Sequence, residues 1–448
     1  MSQQRPTRRR VLALSSAAAA AGLAGCTDQL SSVLGGSDDD SEEDSEEEET
    51  DNKSSGQAAA LADGVPSLET EYNSREQYSQ PGESLDDFSD LSKWEVTRGS
   101  GSADQETVFN GDQSFKLESN GEQNVVAQLD VSDKDFTDTD FSFAIRTTTP
   151  QSITINLRLV DQFGGWKAYS LREITCRSPD VAWFRSSPGV FSQSDYEPAL
   201  DALDRLEIQV LHTMDQAEVW IDDLRTHDKP EQGYVMLTWD DGTRDYYETA
   251  APMHDEYGFP AVQAPVPRWV ERNDGGSVTV AELKERQDAG DQIVVHGTHS
   301  PIHELDDEER IRNRLEHDKQ WFINKGFEGA DYIVYPHNSY DKTSLDIATD
   351  YHYCGGFNQS GNINTTSVYG FDPLALPRTI GYDLNIAKRC VNRAAQHRQC
   401  TILNFHAFSE QNTMSETNYA KLLKHIDNAN VEVITFDDLW KHRTEQFY

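Results

Sequence analysis

The spacing of hydrophobic residues changes near residue 229, and this change limits what the chain can fold into. From 81 to 228, short runs alternate between apolar and polar residues and are separated by Gly, Asp and Ser, which is typical of antiparallel strands in a β-sandwich. From 229 to 448, apolar runs of strand length alternate with amphipathic helical segments, which indicates a parallel α/β domain. The sequence therefore predicts a multidomain protein with a jelly-roll-like β-sandwich followed by an α/β domain.

The first 26 residues have the features of an export signal. An arginine run at 8–10 precedes an alanine-rich apolar stretch that is too short to span a bilayer, as in twin-arginine signal peptides. The stretch ends in Leu23-Ala24-Gly25-Cys26, which resembles a lipobox. We therefore expect lipidation of Cys26 and a protein anchored to the outer face of the cytoplasmic membrane, with more than one lipid chain needed for stable anchoring.

The chain is strongly acidic, with 78 Asp and Glu against 39 Lys and Arg and a formal net charge of -39. Residues 27–80 are an acidic, apolar-poor segment that we expect to form an extended, disordered stalk. The acidic excess continues through the predicted domains, which suggests a high-salt habitat where charges are screened within about 3 Å at ~1 M salt. A charge of this sign excludes nucleic acid as a general partner.

Four cysteines follow the export signal, namely Cys176, Cys354, Cys390 and Cys400. They are free to pair outside the cell, but none has the Cys-x-x-Cys spacing of a zinc or redox site. The sequence leaves their pairing open.

The sandwich region is rich in aromatic residues. Its opening run at 88–94 and its closing run at 218–224 resemble the first and last strands of carbohydrate-binding β-sandwich modules. The aromatic residues Trp166, Tyr169, Trp183 and Phe184 are candidates for stacking on sugar rings, although packing in the core is the commoner fate of aromatic residues.

Two adjacent aspartates, Asp240 and Asp241, follow a buried strand of the α/β region and are closed by Gly242. Paired carboxylates at such a position are costly unless a cation balances them. Ligands of α/β folds bind beyond the carboxyl ends of parallel strands, so this pair is a candidate site.

Three histidines, His296, His299 and His303, lie within eight residues after the next predicted strand. Imidazoles clustered at a strand end, in the same domain as paired aspartates, suit a borderline divalent metal ion. The sequence therefore predicts a metal site formed by both groups.

These motifs resemble the polysaccharide deacetylase family, also called the NodB-homology or carbohydrate esterase 4 domain, over residues 233–445. The family's first motif is Thr-Phe-Asp-Asp-Gly, and residues 238–242 match it with Trp239 in place of phenylalanine. The resemblance implies Asp240 as the general base and Asp241 as a metal ligand. It also implies a distorted, incomplete (β/α) barrel with the site at the carboxyl rim of its strands.

The family's second motif supplies two metal-binding histidines, and this sequence allows two alignments. His299-Ser300-Pro301-Ile302-His303 matches the motif His-Ser/Thr-x-x-His literally. In the other alignment His296, directly after the strand, is the first ligand and His299 the second. His299 is a ligand in both, and the choice between His296 and His303 stays open. The family implies zinc, with cobalt, nickel or manganese as other ions.

The third family motif is Arg-x-Pro-Tyr-Gly, and the sequence departs from it. The segment Tyr335-Pro336-His337-Asn338 is the remnant that we assign to substrate binding, with Asn338 replacing glycine where φ is positive. Val334 stands where the arginine that braces the catalytic aspartate is expected.

The remaining motifs supply the other catalytic residues. Leu376-Pro377-Arg378 resembles a fourth motif from which some branches of the family provide the bracing arginine, so Arg378 is the candidate for holding Asp240 ionised. A hydrophobic run that ends at His406 resembles the fifth motif, whose histidine is the general acid.

Together these motifs imply a monomeric, metal-dependent hydrolase that removes acetyl groups from amino sugars of a surface or secreted polysaccharide. The altered third motif leaves room for a catalytically inert sugar-binding lipoprotein. A third alternative keeps the metal and acts on a non-sugar amide. The sequence does not specify the polysaccharide or its linkage.

Overall fold

The structure is a computed structural model and describes residues 67–71, 78, 80–119, 121, 124–172, 183–298, 301–305, 307–338, 340–358, 364–408 and 413–445. The predicted export signal with Cys26, most of the predicted stalk, Cys176 and His299 lie outside these residues. Within the described residues, no helix is both long enough and apolar enough to cross a membrane.

The first domain is a sandwich of two antiparallel sheets, which confirms the predicted β-sandwich. One sheet has the order β3-β4-β12-β6-β9, with β1 also paired to β12, and the other has the order β10-β8-β7-β11-β5-β2. The strands are β1 Glu83–Asp86, β2 Trp94–Arg98, β3 Ser100–Asp104, β4 Ser114–Glu118, β5 Asn124–Asp130, β6 Thr139–Thr147, β7 Ile153–Asp161, β8 Trp166–Arg172, β9 Phe184–Ser186, β10 Val190–Gln193, β11 Leu203–His212 and β12 Glu218–Asp228.

Side-chain alternation along the strands builds the core between the two sheets. In β5, Val125, Ala127 and Leu129 are buried, and the residues between them are partly exposed. Tyr169 and Phe184 also belong to this core, so for these two rings the alternative of core packing holds and stacking on sugar does not. The backbone of each residue pairs with a neighbouring antiparallel strand, and the two rings pack in the core between the sheets.

Trp166 and Trp183 are partly exposed. The guanidinium of Arg158 lies 4.6 Å from the centre of the Trp166 ring, and Trp183 lies against Phe109 with ring centres 5.7 Å apart. Sugar binding by these two tryptophans stays a prediction.

The second domain is a closed barrel of parallel strands, which confirms the predicted distorted (β/α) barrel. Among the described residues, seven strands follow the order β14-β15-β16-β17-β18-β19-β13, β13 pairs again with β14, and β20 pairs with the first residues of β13. The strands are β13 Gly233–Asp241, β14 Val262–Pro265, β15 Gln292–Val295, β16 Gly329–Val334, β17 Cys354–Asn358, β18 Leu376–Ile380, β19 Cys400–Phe405 and β20 Val431–Val433.

Helices surround the barrel. They are α1 Ala251–Tyr257, α2 Pro267–Arg272, α3 Val280–Asp288, α4 Glu308–Lys325, α5 Lys342–Ala348, α6 Leu384–His397, α7 Glu416–Asp427 and α8 Phe436–Glu445. In α4 the N-cap is Asp307, whose carboxylate accepts from the Glu309 N–H. Because all barrel strands are parallel, their carboxyl ends meet at one rim, and the motif residues lie there.

Buried polar contacts join the sandwich to the barrel. Lys229, between the two domains, is paired with Asp140 of β6 and donates to the His397 carbonyl at 3.0 Å. Gln399 also donates to Asp140, at 2.8 Å, and accepts from the Val190 N–H at 3.0 Å. These polar groups are buried and hydrogen-bonded to one another, so the junction is part of the folded structure and not a loose linker.

Cys354, Cys390 and Cys400 are buried free thiols. Among the described cysteines there is therefore no disulfide, and the pairing left open by the sequence does not occur between these three.

Candidate active site

The carboxyl end of β13 carries the two adjacent aspartates. The strand is buried up to Asp240, and Asp241 keeps 19% of its side chain exposed. Asp241 and Gly242 both have left-handed backbone, with φ of +71° and +70°. A Cβ at Gly242 would lie 2.8 Å from the Cβ of Pro265, so this turn requires glycine.

Trp239 stands where the family motif has phenylalanine, and the core explains the larger ring. Its ring lies against Phe405, with centres 5.3 Å apart, and its Nε1–H donates to Tyr419 Oη at 3.2 Å. Tyr419 Oη lies 2.7 Å from His254 Nε2. The indole therefore anchors β13 to α7 directly behind the two aspartates.

Arg378 of β18 forms a two-pronged contact with Asp240. Its Nη1 and Nη2 donate to Oδ1 and Oδ2, both at 2.9 Å, and Nη1 also donates to Thr238 Oγ1 at 3.1 Å. Burial acts to raise the pKa of Asp240, but the charge of Arg378 and its hydrogen bonds outweigh burial and lower that pKa to about 2. The pair keeps Asp240 ionised and in one orientation.

His296, directly after β15, approaches Asp241. Its Nε2 lies 3.3 Å from Asp241 Oδ1, and its Nδ1 lies 2.9 Å from the Val334 carbonyl oxygen. Burial acts to lower the pKa of His296, but the hydrogen bond to Asp241 and the charges of both aspartates outweigh it and raise that pKa. Since a carbonyl accepts only, Nδ1 carries a hydrogen and Nε2 is the nitrogen turned to Asp241.

This pair fits a divalent metal ion. A metal-binding histidine commonly donates its second ring N–H to a backbone carbonyl, as His296 does to Val334. Its Nε2 and the carboxylate of Asp241 face each other, which is a suitable donor pair for zinc.

The other two predicted ligands are His299 and His303. His299 lies outside the described residues, and His303 lies in a short 3₁₀ segment, Ile302–Glu304, without a described side chain. In the described part of the chain, no group of three or more His, Cys, Asp or Glu residues is arranged to hold a metal ion.

His406, directly after β19, lies on the other side of Asp240. Its Nε2 is 3.9 Å from Asp240 Oδ2, and 25% of its side chain is exposed. Its Nδ1 is 2.7 Å from the hydroxyl of Tyr382, a residue that the motifs did not mark. The one signal for Tyr382 in the sequence is its place four residues after Arg378, near the end of the same strand.

The segment assigned to substrate binding turns sharply after β16. His337 and Asn338 have φ of +56° and +54°, so Asn338 has the positive φ that was predicted. The ring of Tyr335 is buried, with its hydroxyl donating to the Leu374 carbonyl at 3.0 Å, and Pro336 is buried too. His337 is the exposed member of the segment. Substrate binding by these residues stays a prediction.

Residues 227–355 match the family model described as polysaccharide deacetylase. The C-terminal domain is a polysaccharide deacetylase domain. The matched segment includes Asp240, Asp241 and His296 but ends before Arg378 and His406, so the placing of these last two beside Asp240 comes from the structure.

Solved structures with similarity to the chain include the following three proteins. One is a Streptococcus pyogenes deacetylase in complex with acetate, at 21% identity over 32% of this chain and 62% of that chain, with a TM-score of 0.28. Another is the Xyl-CE4 domain of a multidomain xylanase from the hindgut metagenome of Trinervitermes trinervoides, at 17% identity over 47% and 91%, with a TM-score of 0.34. The third is a family 4 carbohydrate esterase from Streptomyces lividans in complex with acetate, at 14% identity over 44% and 86%, with a TM-score of 0.29.

The chain thus spans less than two thirds of the Streptococcus pyogenes protein. No curated protein matches the chain significantly.

Proposed function

We propose that the polysaccharide deacetylase domain hydrolyses the N-acetyl groups of amino sugars in a surface or secreted polysaccharide, with the help of one divalent metal ion. The observation that carries the proposal is the arrangement around Asp240. Arg378 holds this carboxylate ionised, Asp241 and His296 face each other beside it, and His406 lies 3.9 Å from it. A base, a metal-binding pair and an acid are the groups that metal-assisted amide hydrolysis requires.

Asp241, His299 and either His296 or His303 would hold the ion, and the contact between His296 and Asp241 favours His296. When bound, a divalent ion polarises the acetamide carbonyl and acidifies water. We propose zinc, with cobalt, nickel or manganese as other ions that imidazole and carboxylate ligands accept.

The chain's own residues move the protons. Asp240 accepts a proton from the water that attacks the carbonyl carbon, and Arg378 fixes the orientation in which it does so. His406 donates the proton on Nε2 to the amine nitrogen as the carbon–nitrogen bond breaks. The products are acetate and a free amino sugar.

The alternative of an inert sugar-binding lipoprotein rests on one feature, the valine at position 334. In the structure the guanidinium expected there comes from Arg378, and the Val334 carbonyl orients His296. The geometry therefore supports the enzyme over the inert binder.

The setting of this activity is also part of the proposal. We infer a monomeric protein that is exported by the twin-arginine route, anchored through a lipidated Cys26 at the outer face of the membrane, and adapted to high salt. Its partner is an N-acetylated polymer, which the sandwich helps to retain through Trp166 and Trp183.

The test is the release of acetate and of free amine from N-acetylglucosamine oligomers by the full-length protein in high salt. We expect the two products in equal amounts and a loss of both in Asp240→Asn, which keeps the shape of the side chain without its charge. Oligomer binding without acetate would support the inert binder. Release from simple acetylated amines, and not from oligomers, would support the non-sugar amidase.

A further inference from the structure

Tyr382 is the hydrogen-bond partner of the proposed general acid. Its hydroxyl lies 2.7 Å from His406 Nδ1, on the side of the ring opposite to the nitrogen that faces Asp240. Both side chains are partly buried, so this contact is sheltered from bulk water. Neither the family model's segment nor the motifs include Tyr382.

The backbone around this pair is fixed from two directions. The Gly381 N–H donates to the Asn404 carbonyl at 2.9 Å, and a Cβ at Gly381 would lie 2.5 Å from the Phe405 ring. The turn after β18 can therefore approach β19 only because residue 381 is glycine. On the other side, Thr243 Oγ1 donates to the His406 carbonyl at 2.6 Å.

We propose that Tyr382 is a positioning residue that holds the His406 imidazole with Nε2 turned towards the scissile bond. This inference rests on the proposed function. An imidazole on a single Cβ–Cγ bond can rotate, and each rotated state moves Nε2 away from the amine. A hydroxyl suits the task because it accepts from a protonated Nδ1 and donates to a bare Nδ1, so it holds the ring in either state.

The proton inventory of the step needs no further group. His406 begins with hydrogens on both ring nitrogens, and Tyr382 Oη accepts from Nδ1–H. As the carbon–nitrogen bond breaks, its electron pair stays on nitrogen and takes the Nε2 proton. The ring is left neutral with Nδ1–H still bonded to Tyr382, which keeps its own proton throughout.

The test compares Tyr382→Phe on two substrates that differ in their need for an acid. In an N-acetylglucosamine oligomer the leaving group is an amine, which needs a proton as the amide bond breaks. In p-nitrophenyl acetate the leaving group is nitrophenolate, which departs as a stable anion without one. A general acid accelerates a reaction by about 10² to 10⁴-fold. We therefore expect misorientation of the His406 ring to lower kcat on the amide by about tenfold, with little change in KM. The loss on the ester should be clearly smaller.

Two further variants separate positioning from folding. Tyr247→Phe removes another tyrosine hydroxyl of the same domain, one that donates to Glu285 at 2.9 Å on the surface, and should retain both activities. His406→Ala combined with Tyr382→Phe should be no slower on the amide than His406→Ala alone, because Tyr382 acts through His406.

Equal losses of Tyr382→Phe on both substrates, an undiminished amide rate, or additive losses in the double variant would each overturn the inference. A wild-type protein that releases no acetate would instead overturn the proposed function. The hydrogen bond is then tested separately by ¹⁵N NMR of the His406 ring, whose Nδ1 resonance should shift in Tyr382→Phe and not in Tyr247→Phe. An unchanged resonance would contradict the positioning role.

Discussion

Arg378 reaches Asp240 across an intervening strand. Asp240 ends β13 and Arg378 lies in β18, and β19 separates these strands in the barrel. The guanidinium meets both carboxylate oxygens at 2.9 Å. Gly356 of β17 leaves room for the arginine stem, since a Cβ there would lie 3.2 Å from Arg378 Cδ. The cation missing at position 334 is thus supplied from another part of the chain.

Replacing Arg378 with alanine should slow acetate release by about 10- to 100-fold, a part of the ~10² to 10⁴-fold that a general base contributes. Burial acts to raise the pKa of Asp240, and Arg378 is the main group that lowers it, to about 2. Loss of Arg378 should therefore raise the pKa of Asp240. Because the base works as the carboxylate, the acidic limb of the pH profile should move to higher pH.

Arg378→Lys should recover only part of the rate, since lysine lacks the two-pronged fork. Metal content should not change in either variant. A wild-type rate in Arg378→Ala would contradict the bracing role.

The two alignments of the second motif predict different metal contents. His296 lies 3.3 Å from Asp241, so His296→Ala should lose bound metal, as measured by elemental analysis of the purified protein, whereas His303→Ala should retain it. Circular dichroism controls for folding. Loss of metal in His303→Ala alone would favour the other alignment, and retention in both would mean that neither histidine is a ligand.

Much of the site could be predicted because each motif lies at the end of a strand. Parallel strands bring their carboxyl ends together, so the sequence predicts Asp240 and His296 near one another, and the family resemblance adds His406 to them. Tyr382 could not be found in this way, because a tyrosine after a strand has no distinctive neighbours and its role depends on the side chain it meets.

The junction between the domains was also hidden from the sequence. Asp140 and Lys229 are 89 residues apart, and their contact arises only when the last sandwich strand has brought the barrel against β6. The burial of Tyr169 and Phe184 could not be predicted either, since alternation along a short strand does not decide which aromatic rings face the core.

The junction should contribute strongly to stability. Asp140→Ala leaves Lys229 buried without its carboxylate and removes a partner of Gln399. Breaking a buried ion pair costs about 3 to 5 kcal/mol, and we expect a decrease of that order in the free energy of unfolding, measured by denaturant titration in high salt. Asp140→Asn, which keeps an acceptor oxygen, should cost less. An unchanged midpoint in Asp140→Ala would mean that the junction is loose.

For the same reason, residues 229–448 alone should be less stable than the full chain. Removing the sandwich leaves Gln399 and Lys229 without their partners in β6 and β10. The melting temperature of the isolated barrel compared with that of the full chain measures this effect.

His254 should make stability fall in acid. Burial lowers its pKa to about 4 in the folded protein, against about 6.5 when unfolded. The unfolded state therefore binds the proton more readily. The contribution of His254 to the free energy of unfolding is complete above pH 6.5 and decreases by about 3 kcal/mol as the pH falls through 4. His254→Gln should flatten this part of the stability curve. His317→Gln, at an exposed position of α4, is the matched control for replacing a histidine at the surface.

The most direct test of metal-dependent deacetylation is acetate release from N-acetylglucosamine oligomers in high salt, measured before chelation, after removal of bound metal, and after zinc is restored. We predict that release stops when the metal is removed and returns with zinc in the wild-type protein, but does not return in Asp241→Ala. Full acetate release by protein whose metal content has been shown to be negligible would contradict the account.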